Sequence, residues 1–284
     1  MKKSQEELNT YRELRQKLER ELNTYKEMTK SVEGELFLLG ILEKGAVIGN
    51  EGELLTENRE VFKELLLHYQ SETNAAWKEA DDWSVKQMFP ERHKKQEEML
   101  KTGFVPYLDK EQRVGDLACA NGEWSFYIAE HAGWVDGFEY SEHMVKTANE
   151  KIYRGGGVRN VSFMQADACR MQFEHSYDNF MMMGLLTYIY DEEDAETIVD
   201  KVAGAIKNNG HLVTKDTLNV LGEDVMYVYN TGSRYTAVYW SWEKYYGWFI
   251  KSGFKLEREY VLDEVEINGM NFVSRGAIWV KCGS

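Results

Sequence analysis

Three acidic residues stand where an α/β sheet would offer them to a ligand: Asp116, Glu139 and Asp167. Each lies in or just after a short apolar run, Val114–Cys119, Trp134–Phe138 and Val161–Gln165. Glu139, 23 residues beyond Asp116, can accept both hydroxyl hydrogens of a ribose, because a carboxylate carries only acceptors. Asp167 is suited to accept from an adenine amino group, with Ala168 beside the ring. The segment Asp116-Leu117-Ala118-Cys119-Ala120-Asn121-Gly122 is made largely of small residues, which let a ligand approach the backbone. Taken singly, each acid reads as a cap or an ordinary strand-end carboxylate. The ordered set of three reads as a binding edge.

The elements that must position these acids follow from Arg113 onward. Apolar runs alternate with helical segments: a helix to His131, one from Ser141 to Ile152 and one from Asp191 to Lys207. The runs Asn179–Leu186 and His211–Lys215 continue the series. This alternation predicts a parallel sheet covered on both faces. Lys255–Leu262 and Phe272–Lys281 are joined through Asn268-Gly269 with no helix between, so they pair antiparallel. The expected α/β fold has seven strands, five parallel plus a C-terminal antiparallel hairpin, with a helical N-terminal extension.

That extension is expected to be wholly helical over residues 1–100. Tyr11, Leu18, Tyr25 and Val32 repeat every seven residues, with Leu14 and Met28 in a second register interrupted by Glu21 and Glu35. The arm reads either as a homodimer seam or as an amphipathic helix packed on its own chain. Further helices are expected over 58–70, 74–88 and 91–101, with Pro90 marking a break. The remaining residues, 101–284, form the second domain, with an aromatic insert at about 217–250.

Composition narrows the partners. A net charge of -14 repels phosphate backbones and anionic membranes, so neither DNA nor a membrane is the expected partner. Three scattered cysteines (Cys119, Cys169, Cys282) form neither a disulfide framework nor a zinc motif. With no leader-like or membrane-spanning stretch read in the sequence, the expected location is cytoplasmic, and no metal is expected. A dinucleotide site is disfavoured because the Gly-x-Gly-x-x-Gly spacing that admits pyrophosphate is missing.

Residues 100–284 closely resemble the class I S-adenosylmethionine-dependent methyltransferases, a Rossmann-like family. The resemblance rests on Asp116 to Gly122, Gly137-Phe138-Glu139-Tyr140-Ser141, Gln165-Ala166-Asp167-Ala168, Tyr177-Asp178-Asn179-Phe180 running to Leu186, and Asn208-Asn209-Gly210-His211-Leu212. Ser252-Gly253-Phe254 before the hairpin agrees. It implies S-adenosylmethionine as cofactor, with S-adenosylhomocysteine as product. The implied contacts are Asp116, Ala118, Ala120, Asn121, Gly122, Glu139, Tyr140, Met144, Asp167, Ala168, Gly184 and Leu185. The family usually has glycine at two of the positions held by Ala118 and Ala120. Alanine at 120 fits the reading if the turn keeps φ negative there.

The resemblance leaves the acceptor open. An O or N atom of a small molecule is the first reading, since the fourth motif lacks the proline-rich turn of base-amino methyltransferases. A protein or RNA recruited by the N-terminal arm is a second, and a non-catalytic binding module with a decayed turn is a third. A base is required only if the acceptor carries a proton near neutral pH; Asp216, Tyr188 and His175 are the candidates. Tyr229, Arg234, Tyr235 and Tyr239 are the candidates for lining an acceptor pocket. Met181-Met182-Met183 reads as buried strand.

Overall fold

Short runs rich in Val, Phe, Met and Leu, flanked by amphipathic helices, build a layered sheet whose edge carries the candidate acids. The computed structural model describes residues 32–48, 53–68, 89–154, 158–220, 225–230, 236–267 and 270–283, with Arg15 and Leu22 as single helical positions. The seven-residue repeat of the arm, the expected helix over 74–88 and the Asn268-Gly269 turn lie largely or wholly outside the described residues.

Among the described residues the first elements are α1 (Val32–Glu43), β1 (Val47–Ile48), β2 (Glu53–Thr56), α2 (Arg59–His68) and α3 (Pro90–Met99). Then follow β3 (Arg113–Leu117), α4 (Glu123–Ala129), β4 (Trp134–Glu139), α5 (Glu142–Arg154), β5 (Val161–Gln165) and β6 (Asn179–Met183). The last part comprises α6 (Glu192–Ala205), β7 (His211–Leu218), β8 (Met226–Asn230), β9 (Thr236–Tyr239), α7 (Trp242–Lys251), β10 (Phe254–Ile267) and β11 (Met270–Lys281). No helix among the described residues is long and apolar enough to cross a membrane.

The main sheet has seven strands in the order β10-β11-β7-β6-β3-β4-β5. Strands β3 to β7 pair parallel, whereas β11 runs antiparallel to both β7 and β10. The returning strand of the hairpin is thus inserted between its partner and the parallel set. On one face, α6 and α7 bury Phe180, Met182, Leu212 and Trp279; on the other, α3, α4 and α5 bury Val114, Met181, Val213 and Ile278. Burying a side chain of this size contributes roughly 1.5–3 kcal/mol, so both faces must stay covered. Asp191 caps α6 by accepting from Glu193 N–H at 3.1 Å, with three acids in the first turn complementing the helix dipole.

A second, four-stranded antiparallel sheet, β1-β2-β8-β9, corrects the expectation of a wholly helical N-terminal region. Leu54 and Leu55 pair with Tyr229 and Val228, so the N-terminal hairpin is held by the insert. The insert itself splits into these two strands and helix α7. One face of the small sheet packs on α1 and α2 through Tyr227 and Phe62, whose rings stack at 5.0 Å. The other meets the hairpin tip, where Tyr239 lies 4.8 Å from Phe272. Trp240 Nε1 donates to the Leu186 carbonyl at 2.9 Å, which ties this cap to the loop after β6.

Candidate functional site

Strand order reverses at β3, which lies between β4 and β6, and ligands of open parallel sheets bind at the carboxyl edge beside such a point. The turn after β3 is tied to the end of β4. Ala118 and Cys119 N–H both donate to the Phe138 carbonyl, at 2.8 and 3.1 Å. Ala120 N–H donates to Glu139 Oε2 at 2.9 Å, and Ser141 N–H donates to Oε1 at 2.9 Å. Both carboxylate oxygens therefore hold backbone amides and keep acceptor capacity.

This geometry sets the backbone. To aim its amides, the turn takes φ of 64° at Ala118, 49° at Ala120 and 81° at Gly122. Glycine does so freely, whereas a left-handed alanine costs roughly 1–2 kcal/mol. The condition of negative φ at Ala120 is thus not met. The turn bends from β3 into α4 over residues 118–122, and left-handed residues at 118, 120 and 122 make that bend. Strain of this kind collects at functional turns.

Asp116 lies inward of the ligand edge. It is buried and accepts the hydroxyl of Ser125 on α4. Burial, opposed by that hydrogen bond and reinforced by the Glu139 charge, pushes its carboxyl up to about 7. Through that hydroxyl it ties α4 to β3. Burial also raises Glu139, opposed by the N–H groups of Ser141, Ala120 and Tyr140. Farther along the edge, Asp167 accepts from Cys169 N–H at 2.9 Å and pairs with exposed Arg170 at 3.5 Å. The Tyr140 ring is 70% exposed beside Glu139. Asn121, Met144 and Leu185 are buried, Ala168 is packed against the core, and Gly184 opens the loop after β6 with φ of 91°.

The candidate bases fare differently. Asp216 is fully buried; it accepts Thr187 N–H and Oγ1–H on Oδ1, each at 2.9 Å, and Tyr245 O–H on Oδ2 at 3.0 Å. It is a bracing carboxylate, because side chains alternate along β7 and Asp216 falls on the α7 face. His175 is exposed in the loop leading into β6, at the sheet edge opposite the acids, where a strand begins rather than ends. Tyr188 closes a 3-10 turn after β6, on the correct edge. Tyr229 and Tyr239 are buried in the cap sheet rather than lining an open pocket, because both faces of that sheet are covered. Arg234 and Tyr235 lie outside the described residues.

The structure adds residues that the sequence reading did not single out. His93 Nε2 and Glu123 Oε1 lie 2.8 Å apart, and the imidazole stacks on Trp124 at 4.8 Å, fixing the start of α3 over the start of α4. Arg92 donates to Asp263 Oδ2 from Nε at 2.9 Å and from Nη2 at 2.6 Å. Lys215 shares the α3 face of β7 with Val213. Burial and the Arg92 charge, opposed by Asp216 and Asp263, lower its ammonium to about 8. A lysine in the middle of a strand flanked by buried residues was the available signal, since lysine is seldom drawn into a sheet without a reason.

Residues 114–210 match a family model described as "Methyltransferase domain". The demethylmenaquinone methyltransferase of Lactococcus lactis is 27% identical over 105 residues, 36% of this chain and 40% of that protein. That of Bacillus subtilis is 21% identical over 130 residues, 45% of this chain and 54% of that protein. The chain thus aligns with about half the length of these curated relatives, or less. Among solved structures, the N-methyltransferase NodS from Bradyrhizobium japonicum, in complex with S-adenosylhomocysteine, superposes with a TM-score of 0.55. It is 14% identical, over 75% of this chain and 97% of that one. The [4+2]-cyclase SpnF superposes with a TM-score of 0.54 at 12% identity, over 80% of this chain and 97% of that one. The likeness to these structures establishes the fold. Residues 114–210 thus match the methyltransferase domain model, and the fold around them is the class I, Rossmann-like fold of these structures.

Proposed function

We propose that this chain transfers a methyl group from S-adenosylmethionine to an O or N atom of a small molecule. The observation that carries the reading is Glu139: a half-buried carboxylate at the end of β4, held by backbone amides on both oxygens and retaining acceptor capacity for a ribose. The domain family and the bound S-adenosylhomocysteine of NodS support the cofactor. Relatives named for demethylmenaquinone support a small acceptor. The cofactor, when bound, supplies an electrophilic methyl group. The chain's own residues orient it: Glu139 at the ribose, Asp167 and Ala168 at the adenine, and Gly184 with Leu185 at the amino-acid end. Alignment of this kind is worth up to roughly 7–11 kcal/mol of barrier.

One observation favours a second reading, a binding module without transfer. Ala118 and Ala120 hold left-handed φ where glycine would be unstrained, and SpnF, named as a cyclase, has the same fold. Incubation with S-adenosylmethionine and a panel of phenols, quinols and amines separates the readings. Acceptor-dependent release of S-adenosylhomocysteine supports transfer. Cofactor binding with no release above background across the panel favours the module.

A further inference from the structure

Across the strands β7, β11 and β10, the register sets Thr217 opposite Ser274 and Ser274 opposite Asp263. Residues directly opposite in antiparallel strands point to one face, so these three share the α3 face with Lys215, one position along. Ser274 is fully buried, and its hydroxyl has no hydrogen-bond partner. A buried orphan hydroxyl costs free energy unless something binds it.

The charges around it are unequally matched. Asp263 is taken up by Arg92 through two hydrogen bonds. Asp216 points to the other face and is saturated by three donors. The Lys215 ammonium is left with no hydrogen bond or ion pair among the described residues. It lies 3.5 Å from where a Cβ on Gly184 would stand, across the mouth of the loop after β6. A cation and a hydroxyl donor on one face of the sheet, both without partners among the described residues, match the needs of a small anion.

We propose that Lys215 and Ser274 form a receiving site for a carboxylate, or a similarly compact anion, of a ligand held at this edge. The inference rests on the cofactor reading above for the identity of that ligand, though not for the existence of the site. Two sources offer the same chemistry: the amino-acid end of the cofactor, and an anionic group on the acceptor.

Calorimetry on the full chain tests it, with Lys215→Met, Lys215→Arg and Ser274→Ala beside the unmodified protein. The probes are S-adenosylhomocysteine, 5′-methylthioadenosine (the same nucleoside thioether without the amino acid) and benzoate. If the cofactor supplies the carboxylate, Lys215→Met weakens S-adenosylhomocysteine by tenfold or more and leaves methylthioadenosine within twofold. If the acceptor supplies it, both nucleosides bind unchanged. Benzoate then binds the S-adenosylhomocysteine-saturated protein and is lost in Lys215→Met. In either case Lys215→Arg retains binding and Ser274→Ala weakens it, and the serine variant gives the same contrast should the methionine variant not fold. Equal affinities for all three probes across the variants overturn the proposal. If the unmodified protein binds neither nucleoside, the cofactor reading fails. Benzoate binding lost with Lys215 then still upholds the site, and its absence overturns that as well.

Discussion

Asp216 accepts both the backbone N–H and the hydroxyl of Thr187 on a single carboxylate oxygen, each at 2.9 Å. This pair fastens the end of β7 to the loop after β6, and Tyr245 completes the set from α7. The loop that begins at Gly184 is thereby held in place from behind the sheet, on the face away from Lys215.

Removing that brace leaves three donors without their acceptor. Asp216→Ala should lower unfolding free energy by about 3 kcal/mol, since each buried unsatisfied group costs roughly 1–3 kcal/mol and the loop relaxes in part. Asp216→Asn, which keeps one acceptor, should lose less. Urea denaturation checks the order. A variant as stable as the unmodified protein would show that Asp216 is not a brace.

Stability should depend on pH in a direction set by buried acids. Asp116 titrates at about 7 and Asp216 at about 6 in the folded chain, against an ordinary 3.8. Between about pH 4 and 7 the folded chain therefore binds more protons than the unfolded one, and stability falls as pH rises through that window. Lys215, lowered to about 8 from 10.5, acts oppositely and returns stability only as pH rises above about 8. The urea midpoint is expected to be higher at pH 5 than at pH 7.5, and Asp116→Asn should flatten the difference. An unchanged slope in that variant would remove Asp116 from the explanation.

The left-handed alanines give a third test. Ala120→Gly removes a penalty of roughly 1–2 kcal/mol and adds unfolded-state entropy worth roughly 0.4–1 kcal/mol, for a small net gain in stability. Cofactor affinity should rise by less than about fivefold if the turn is already formed. A gain of a hundredfold would instead mark the alanine as the scar of a decayed site.

The cap is expected to open as a unit. Phe62 is buried between Tyr190, at 5.2 Å, and Tyr227, at 5.0 Å, and truncating such a ring costs about 3–5 kcal/mol. In Phe62→Ala, hydrogen exchange should accelerate together in 53–68, 226–230 and 236–239 and hardly change in β3 to β7. Uniform acceleration across both sheets would mean that the cap and the main sheet unfold together.

The main sheet was legible because its signals are local: alternating runs from Arg113, and acids in or just beyond them. The N-terminal strands were hidden for the opposite reason. Val47–Ile48 and Glu53–Thr56 are too short to show a period; Glu53–Thr56 becomes a strand by pairing with Tyr227–Asn230, some 170 residues away, and Val47–Ile48 by pairing with it in turn. Position along β7 puts Asp216 near the ligand end of the strand, whereas the face it takes follows only from the alternation of side chains. Alternation sends Asp216 to the packed face and its neighbour Lys215 to the other. The φ at Ala120 could not be read from composition, since it follows from how the turn bends between β3 and α4, where Ala120 N–H meets Glu139 through a hydrogen bond.

That hydrogen bond also shapes the decisive measurement. Glu139→Ala would unfasten the turn as well as remove the ribose acceptor, so Glu139→Gln is the cleaner change: it keeps the side-chain shape and one acceptor oxygen. Calorimetric titration of S-adenosylhomocysteine into the unmodified protein and Glu139→Gln, with thermal unfolding as the control for the turn, tests the central claim. Saturable binding is predicted, weakened about tenfold or more in the variant, because a hydrogen bond to a charged group is worth roughly 1.5–3 kcal/mol. Absence of binding to the unmodified protein, or equal affinity in a variant that unfolds at the same temperature, would contradict it.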